Sequence, residues 1–403
     1  MTSTSFSPIL EALEALRSGR MVIVADDKDR ENEGDLVVAA EHIDEQKMAF
    51  IIRHTGGVVC LSLSNEIADT IDLPPMVKNN TSHRGTPFTI SIEATEGVTT
   101  GISAHDRAKT ILAAINPVAT PEDLHRPGHV FPLRAHSGGV LVRAGHTEAS
   151  VDLCRLAGLR EGAVISELMN EEGTMMRVPG LQEFGKEHDI LMISIADLIA
   201  YRRQHETFIR REAESLLETS TGDWKMHVYC DTISDAEHVA LIKGDVTPMQ
   251  STLVRVHSEC LTGDAFNSLH CDCGAQLDAA MKQIEKEGTG VIVYMRQEGR
   301  GIGLANKIKA YKLQHEKGLD TVEANEKLGF PMDLRSYGIG AQILKDCGVG
   351  HMRLLTNNPK KVVGLEGYGL HMEQQVSLEV PAENDRQKKY LQTKKEKMGH
   401  ILK

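Results

Sequence analysis

Three cysteines, Cys260, Cys271 and Cys273, stand in the pattern Cys-x10-Cys-x-Cys. Three thiolates so spaced can hold zinc and leave its fourth tetrahedral position to water, as in a catalytic site. His257 and His270 lie close enough along the chain to supply a fourth ligand, so the spacing alone also admits a closed structural site. A second concentration of chemistry is the run from Asp26 to Asp35, with six carboxylates and one arginine. The ordinary reading of such a run is a solvated acidic loop. Carboxylates also bind hard Mg²⁺, and at a sugar phosphate they need a cation for the phosphate and a ligand from elsewhere in the chain. Arg143-Ala144-Gly145-His146-Thr147 has both residue types, and so does Arg126-Pro127-Gly128-His129. Gly274-Ala275-Gln276 and the run from Arg296 to Gly303 resemble anion-binding loops, with glycines for close backbone approach and arginines for charge.

These residues need elements to position them. Ser7-Pro8 followed by Ile9, Leu10, Leu13 and Leu16 at helical spacing, with Gly19 behind, predicts a first helix. Met21 to Ala25 is apolar and β-branched, so a buried strand should deliver the chain into the acidic loop. Strands over 57–63 and 88–93 alternate with helices over 106–115 and 147–157, which places Arg143 to Thr147 at a helix entrance. The second half alternates strands over 290–295 and 352–355 with helices over 275–286 and 305–317. Between Ile199 and Ser220 the text turns polar, ending in Thr219-Ser220-Thr221-Gly222 before a new strand pattern. The expected fold class is therefore α/β with mixed α+β sheets, in two tandem domains, 1–204 and 205–403. The stretch from Asp385 to Lys397 reads as a solvated terminal helix.

Composition narrows the functional classes. A formal net charge of -12 and only 4% aromatic residues, with a single tryptophan, argue against nucleic acid as a partner. The sequence has no apolar run of about 18 residues and no basic, apolar leader at its start, so a soluble protein away from membranes is expected. Seven cysteines, three of them crowded together, suit metal binding in a reducing cytoplasm better than a disulfide framework.

The second half closely resembles GTP cyclohydrolase II. The resemblance rests on Arg255 to Asp264, Cys271-Asp272-Cys273-Gly274, Arg296 to Gly303, Asp333 to Gly338 and Thr356 to Lys361. It implies zinc on Cys260, Cys271 and Cys273, activating a water for attack on C8 of guanine, with a further Mg²⁺ on the GTP phosphates. It implies Arg335 as the nucleophile at the α-phosphate, with Asp333 as proton acceptor. GTP contacts are implied for Arg255, Val256, His257, Ser258, Glu259, Gln276, Glu298, Gly299, Arg300, Thr321, Thr356 and Lys361, with Tyr311 near the zinc. His270 departs from the pattern, where an arginine is expected.

The first half, over about residues 8–203, closely resembles 3,4-dihydroxy-2-butanone 4-phosphate synthase. The carriers are the acidic loop, His54 to Gly57, Gly101 to Arg107, the Arg126 and Arg143 segments and Ser166-Glu167-Leu168. The resemblance implies conversion of ribulose 5-phosphate to 3,4-dihydroxy-2-butanone 4-phosphate and formate. Mg²⁺ or Mn²⁺ would sit on Glu31 and His146. Arg30, Glu31, Asp35, Arg143, Ala144, Gly145, His146, Thr147 and Glu167 would meet the substrate, with His129 and Glu167 catalytic and Cys60 nearby. Pro87 stands where alanine is expected. Together the two resemblances imply a cytoplasmic, homodimeric enzyme supplying both precursors of riboflavin. The alternative is a chain with only the first activity, its second half a zinc-containing regulatory or nucleotide-binding module.

Overall fold

The computed structural model describes residues 6–56, 58–330, 338–358 and 368–381 and the single positions 384, 387, 392 and 395; the Arg300 side chain is outside that description. The chain divides into two compact units, Met1–His205 and Glu206–Lys403.

The first unit has strands β1 (Val22–Ala25), β2 (Gly34–Ala39), β3 (Cys60–Leu63), β4 (Ile92–Ala94), β5 (Leu124–Arg134), β6 (Gly162–Glu167) and β7 (Leu191–Ser194). They form one mixed sheet in the order β4-β5-β3-β6-β2-β1-β7. Its helices are α1 (Ile9–Arg17), α2 (Glu45–His54), α3 (Asn65–Thr70), α4 (Ala104–Ala114), α5 (His146–Leu156), α6 (Val178–Glu187) and α7 (Ile195–His205). Val22, Val24, Val37, Ala39, Ala163 and Ile165 point to one sheet face and pack against Leu13 of α1, Leu153 of α5 and Leu198 of α7. Ile23, Leu36, Val38 and Val164 point to the other face and pack with Met48 of α2, Ile111 of α4 and Leu181 of α6. The strict alternation follows from the two-residue period of a strand buried on both sides.

The acidic run joins β1 to β2, and the antiparallel register sets Val24 opposite Asp35 and Ala25 opposite Gly34. Asp35 therefore lies in a strand rather than in the loop where the sequence reading placed it. The expected strand over 88–93 is shorter and later, with Phe88 and Thr89 making only isolated bridges to Leu133 and Pro75.

The second unit's strands are β8 (Ile209–Thr219), β9 (Gly222–Asp231), β10 (Glu237–Lys243), β11 (Ser251–Ser258), β12 (Gly290–Met295), β13 (His351–Leu355) and β14 (His371–Val376). Its helices are α8 (Leu261–Asp264), α9 (Cys273–Glu287), α10 (Gly303–Lys317), α11 (Thr321–Lys327) and α12 (Gly338–Asp346). The sheet runs β14-β13-β11-β12-β10-β9-β8. β11 to β14 are joined by parallel pairs and β12 to β8 by antiparallel ones. Trp224, Leu253, Ile284, Ile292 and Leu355 form a buried core on one side.

The polar stretch before residue 220 corrects the sequence reading in one respect. From Ile209 to Thr219 it is an edge strand, exposed along nearly its whole length and paired with β9. A strand solvated on both faces carries no apolar alternation, and its charges discourage edge-to-edge association. The terminal helix expected over 385–397 falls mostly outside the described residues.

Candidate active sites

In the first unit Asp26, at the end of β1, organises the acidic loop. Its buried carboxylate accepts hydrogen bonds from the Glu31 and Glu33 amides at 3.0 and 2.9 Å and from Arg30 Nη1 at 2.9 Å. The chain reverses through Asn32, whose φ is 58°. Two arginines brace the loop from outside. Arg177, next to α6, donates to the Glu31 and Asn32 carbonyls at 2.7 and 2.6 Å, and Arg84 donates to the Arg30 carbonyl.

This loop presents Glu31 to His146, the first residue of α5. His146 Nδ1 lies 3.7 Å from both Glu31 Oε2 and Asp35 Oδ1. Asp26, Glu31 and His146 can each offer one donor atom within 4.8 Å of the others. Asp35 Oδ1 and His146 Nε2 are buried without a hydrogen-bond partner among the described residues. Buried oxygen donors with one imidazole suit a hard divalent ion such as Mg²⁺ or Mn²⁺, so the residues present fit the expected metal. The cluster's electrostatics agree. Burial disfavours charge on His146, yet Asp35, Glu31 and Asp26 outweigh it and raise its pKa to about 9. The His146 imidazole, assisted by Arg30, lowers Glu31 to about 2, against the pull of burial. Burial raises Asp35 to about 6. A cage that holds a proton this firmly favours positive charge at its centre.

The register assembles the neighbours. Asp35 on β2 faces Glu167 on β6, and Cys60 on β3 faces Ile165, so all three side chains share one sheet face. Burial and the Asp35 charge raise the Glu167 pKa, and burial pushes the Cys60 thiol up to about 12. His129 stands on β5, two residues before Phe131, the partner of Cys60, where the pairing of β5 with β4 shifts register. Its Nδ1 meets Glu93 Oε2 at 2.5 Å. Arg143 Nη1 donates to the fully buried Glu148 at 2.7 Å. Gly145 caps α5, and a Cβ there would fall 2.5 Å from Arg143 Nη1 and 2.8 Å from Glu148 Oε2, so a side chain at this position would displace the ends of that ion pair. Ala144 precedes this cap and Thr147 follows His146 into the first turn, whose free amides favour an anion. Arg30 is drawn inward to Asp26 and Glu31. Asp26, Glu93 and Glu148 were not singled out from sequence; their roles depend on partners 4 to 36 residues away.

In the second unit the site lies at the carboxyl ends of the parallel strands, where open α/β sheets commonly bind ligands. Ser258 ends β11 opposite Met295 of β12, so Glu259-Cys260 and the Arg296 loop leave the sheet side by side. Arg255 is buried, donating to the Leu355 carbonyl at 2.8 Å and to Gln276 Oε1 at 2.7 Å. Val256 is core, and His257 Nε2 lies 3.1 Å from Asp264, which also accepts from Tyr294 OH and the Cys260 amide.

Cys260, Cys271 and Cys273 bring their sulfurs within 4.8 Å of one another, and no histidine or carboxylate joins them among the described residues. Cys260 and Cys271 are 3.5 Å apart, and all seven cysteines are free thiols. Ligands about 2.3 Å from a tetrahedral zinc are separated by roughly 3.8 Å, so the three sulfurs fit such an ion. The other two thiols and Lys307 hold Cys260 well below the usual thiol range. His257 is turned to Asp264, and His270 stacks on Tyr311 at 4.7 Å. Tyr311 OH lies 3.4 Å from Thr262 Oγ1.

Glu298 accepts from the Leu261 amide at 2.7 Å and from Lys307 at 2.8 Å, and the Gly299 amide folds back onto it. A cavity of about 770 Å³ opens beside Glu259, Arg296, Gln297 and Glu298. Thr356 follows β13 and accepts from the Asn358 amide, while Thr321 begins α11. Asp333, Arg335, Lys361 and the Arg300 side chain lie outside the described residues.

Comparison with known proteins gives a consistent result for both halves. Residues 10–201 match the family of 3,4-dihydroxy-2-butanone 4-phosphate synthase, and residues 210–377 match GTP cyclohydrolase II. The chain is 56% identical over 397 residues to the "Riboflavin biosynthesis protein RibBA" of Bacillus mycoides (strain KBAB4), covering 98% of this chain and 99% of the relative. The protein of the same name from Bacillus cereus (strain ATCC 10987 / NRS 248) gives the same identity and coverage. A solved structure from A. baumannii, described as RibBX, a two domain 3,4-dihydroxy-2-butanone 4-phosphate synthase, aligns with a TM-score of 0.67. It is 37% identical, covering 92% of this chain and 99% of that one.

Proposed function

We propose, for a chain that belongs to the riboflavin-biosynthesis family joining 3,4-dihydroxy-2-butanone 4-phosphate synthase to GTP cyclohydrolase II, that its two reactions run at the two clusters described above, one in each unit. The protein is a lyase and a hydrolase in one chain. The observation that carries the assignment of sites is that each unit builds its own set of metal donors, oxygen and imidazole in the first and three sulfurs in the second.

In the first unit Glu31 and His146, joined by Asp26, would hold Mg²⁺ or Mn²⁺. A bound divalent ion polarises carbonyl and hydroxyl oxygens so that a carbon-bound proton becomes acidic. Glu167, with its raised proton affinity, and His129, oriented by Glu93, are the proton carriers for ribulose 5-phosphate. Arg143 and the α5 amides, with Ala144 to Thr147, receive the phosphate; Arg30 and Asp35 complete the substrate contacts. In the second unit Cys260, Cys271 and Cys273 would hold Zn²⁺, which lowers the pKa of water toward neutrality. Arg255, Val256, His257, Ser258, Glu259, Gln276, Glu298, Gly299, Arg300, Thr321, Thr356 and Lys361 bind GTP, with Mg²⁺ on its phosphates. Arg335 and Asp333 act at the α-phosphate. We further infer a cytoplasmic location, in keeping with seven free thiols, and a homodimer, which light scattering of the purified chain tests.

A second reading has one specific support. The A. baumannii protein shares the length of the chain, yet its description names only the synthase. On that reading the second unit is a zinc-containing regulatory or nucleotide-binding module. The assembled sulfur cluster favours two activities. Formate released from ribulose 5-phosphate and from GTP, measured in separate reactions with Mg²⁺ and zinc present, decides between them. Formate from both substrates supports the bifunctional reading, and formate from ribulose 5-phosphate alone reduces the second unit to a module.

A further inference from the structure

Lys307 is an internal lysine with an unusual acceptor. It lies on α10, is 9% exposed, and none of the matched motifs assigns it a role. Its Nζ is 3.1 Å from Cys260 Sγ and 2.8 Å from Glu298 Oε1, and 5.8 Å from the centre of the Tyr311 ring. Removing an ammonium from water is costly unless it is paired and hydrogen-bonded. Glu298 alone would satisfy the charge, so the contact with sulfur calls for a further explanation.

The contacts form a closed circuit. Lys307 touches the Cys260 sulfur directly and also binds Glu298 Oε1, while Glu298 Oε2 accepts the amide of Leu261, the residue after Cys260. The sulfur and the turn behind it are thus held from one ammonium. Charge gives this circuit a purpose. Three thiolates around a divalent ion carry a net charge of about -1, and thiolates are strong electron donors that weaken a metal as a Lewis acid. An adjacent ammonium offsets that charge, and its N–H donated to sulfur withdraws electron density from the ligand. Among the described residues the Lys307 ammonium meets the sulfur of Cys260, so the three ligands are not equivalent.

We propose that Lys307 is a positioning residue of the sulfur centre: it makes Cys260 the least electron-donating of the three ligands and ties that ligand to Glu298 and the nucleotide loop. The proposal rests on the reading of Cys260, Cys271 and Cys273 as a metal centre. An ordinary buried ion pair between Lys307 and Glu298 is the competing explanation, and it would leave the metal's electronic spectrum unchanged.

The test uses the full chain with Co²⁺ in place of zinc. Wild type, Lys307→Met, which keeps length without charge, and Lys307→Arg, which keeps charge, are compared by their sulfur-to-cobalt charge-transfer absorption. Formate release from GTP and from ribulose 5-phosphate is measured on the zinc-loaded proteins. Lys307→Met is expected to move the absorption to lower energy and to reduce kcat with GTP about tenfold, the size typical of losing a partner of a metal ligand. KM for GTP should change much less, and Lys307→Arg should restore the absorption toward wild type. Ribulose 5-phosphate turnover reports that the chain is folded. An unshifted absorption in Lys307→Met overturns the proposal, even if GTP turnover falls, because Lys307 would then act on the nucleotide. If Lys307→Met retains no cobalt, Lys307→Gln is read by the same criterion. A wild-type chain that binds cobalt without hydrolysing GTP refutes the cyclohydrolase reading while the spectra still decide the Lys307 contact. A wild-type chain that takes up no cobalt overturns both.

Discussion

Gly263 offers a geometric test of the sulfur centre. It lies in α8, between the first and second cysteines. A Cβ at this position would fall 2.8 Å from Cys271 Sγ, 3.1 Å from Cys260 Sγ and 3.1 Å from Cys273 Cβ. Ordinary carbon–carbon contact begins at about 3.5 Å, and contact with the larger sulfur atom no closer. One methyl group therefore demands shifts of several tenths of an ångström from all three cysteines at once. Zinc–sulfur distances tolerate only about 0.2 Å. The three thiols cannot all retreat and still converge on one ion. Backbone strain does not confuse the result, because Gly263 is not among the positive-φ glycines. Gly263→Ala is expected to weaken zinc binding by ~100-fold or more, at the upper end of losses seen at metal sites. GTP turnover should fall with it. The assay is zinc content by mass spectrometry after dialysis, with formate release from each substrate. Ribulose 5-phosphate turnover should stay near wild type, since the first unit has its own cluster. A Gly263→Ala chain with one tightly held zinc and full GTP turnover would refute the reasoning.

In the metal-free chain, His146 has its pKa raised to about 9, so its imidazolium contributes stability below the ordinary histidine value and loses it as pH rises through about 9. A metal ion must displace that proton, so Mn²⁺ affinity of the first unit should rise about tenfold per pH unit between pH 7 and pH 9. Titration calorimetry in buffers of different ionisation enthalpy should find about one proton released per ion; a pH-independent affinity counts against His146 as a ligand. Gly145→Ala would displace the Arg143–Glu148 ion pair and should reduce turnover of ribulose 5-phosphate while leaving that of GTP near wild type. Equal losses of both activities would contradict the separation of sites. Asp152 and Arg202 are a buried pair at 2.7 Å, so Asp152→Ala should cost the first unit about 3–5 kcal/mol by removing the carboxylate that neutralises the buried guanidinium. Thermal unfolding followed by calorimetry measures that loss, and an unchanged transition would show that the pair contributes little.

Much of the architecture was legible because it depends on local pattern. The apolar run before the acidic loop, the helix after Arg143 and the strand before Arg296 all occur where their periodicity places them. The edge strand Ile209–Thr219 was not legible, because a strand with neither face buried leaves no such periodicity. The resemblance made Asp35 a substrate contact within the acidic run, and only its pairing with Val24 and Glu167 shows it as a strand residue in the sheet.

The sequence by itself determined the kinds of chemistry available: three thiols in one half, carboxylates and Gly-His pairs in the other, and two α/β units to carry them. Tertiary structure alone decided which groups meet and with what charge. Register set Glu167 opposite Asp35, helix packing brought His146 to the acidic loop, and α10 brought Lys307 to Cys260. The physical reason is one of range. Periodicity and capping act over a few residues, whereas strand register and burial are set by residues tens of positions apart. A carboxyl group's affinity for a proton or a metal depends on those distant partners, so its identity can be read along the chain and its function only in the folded protein.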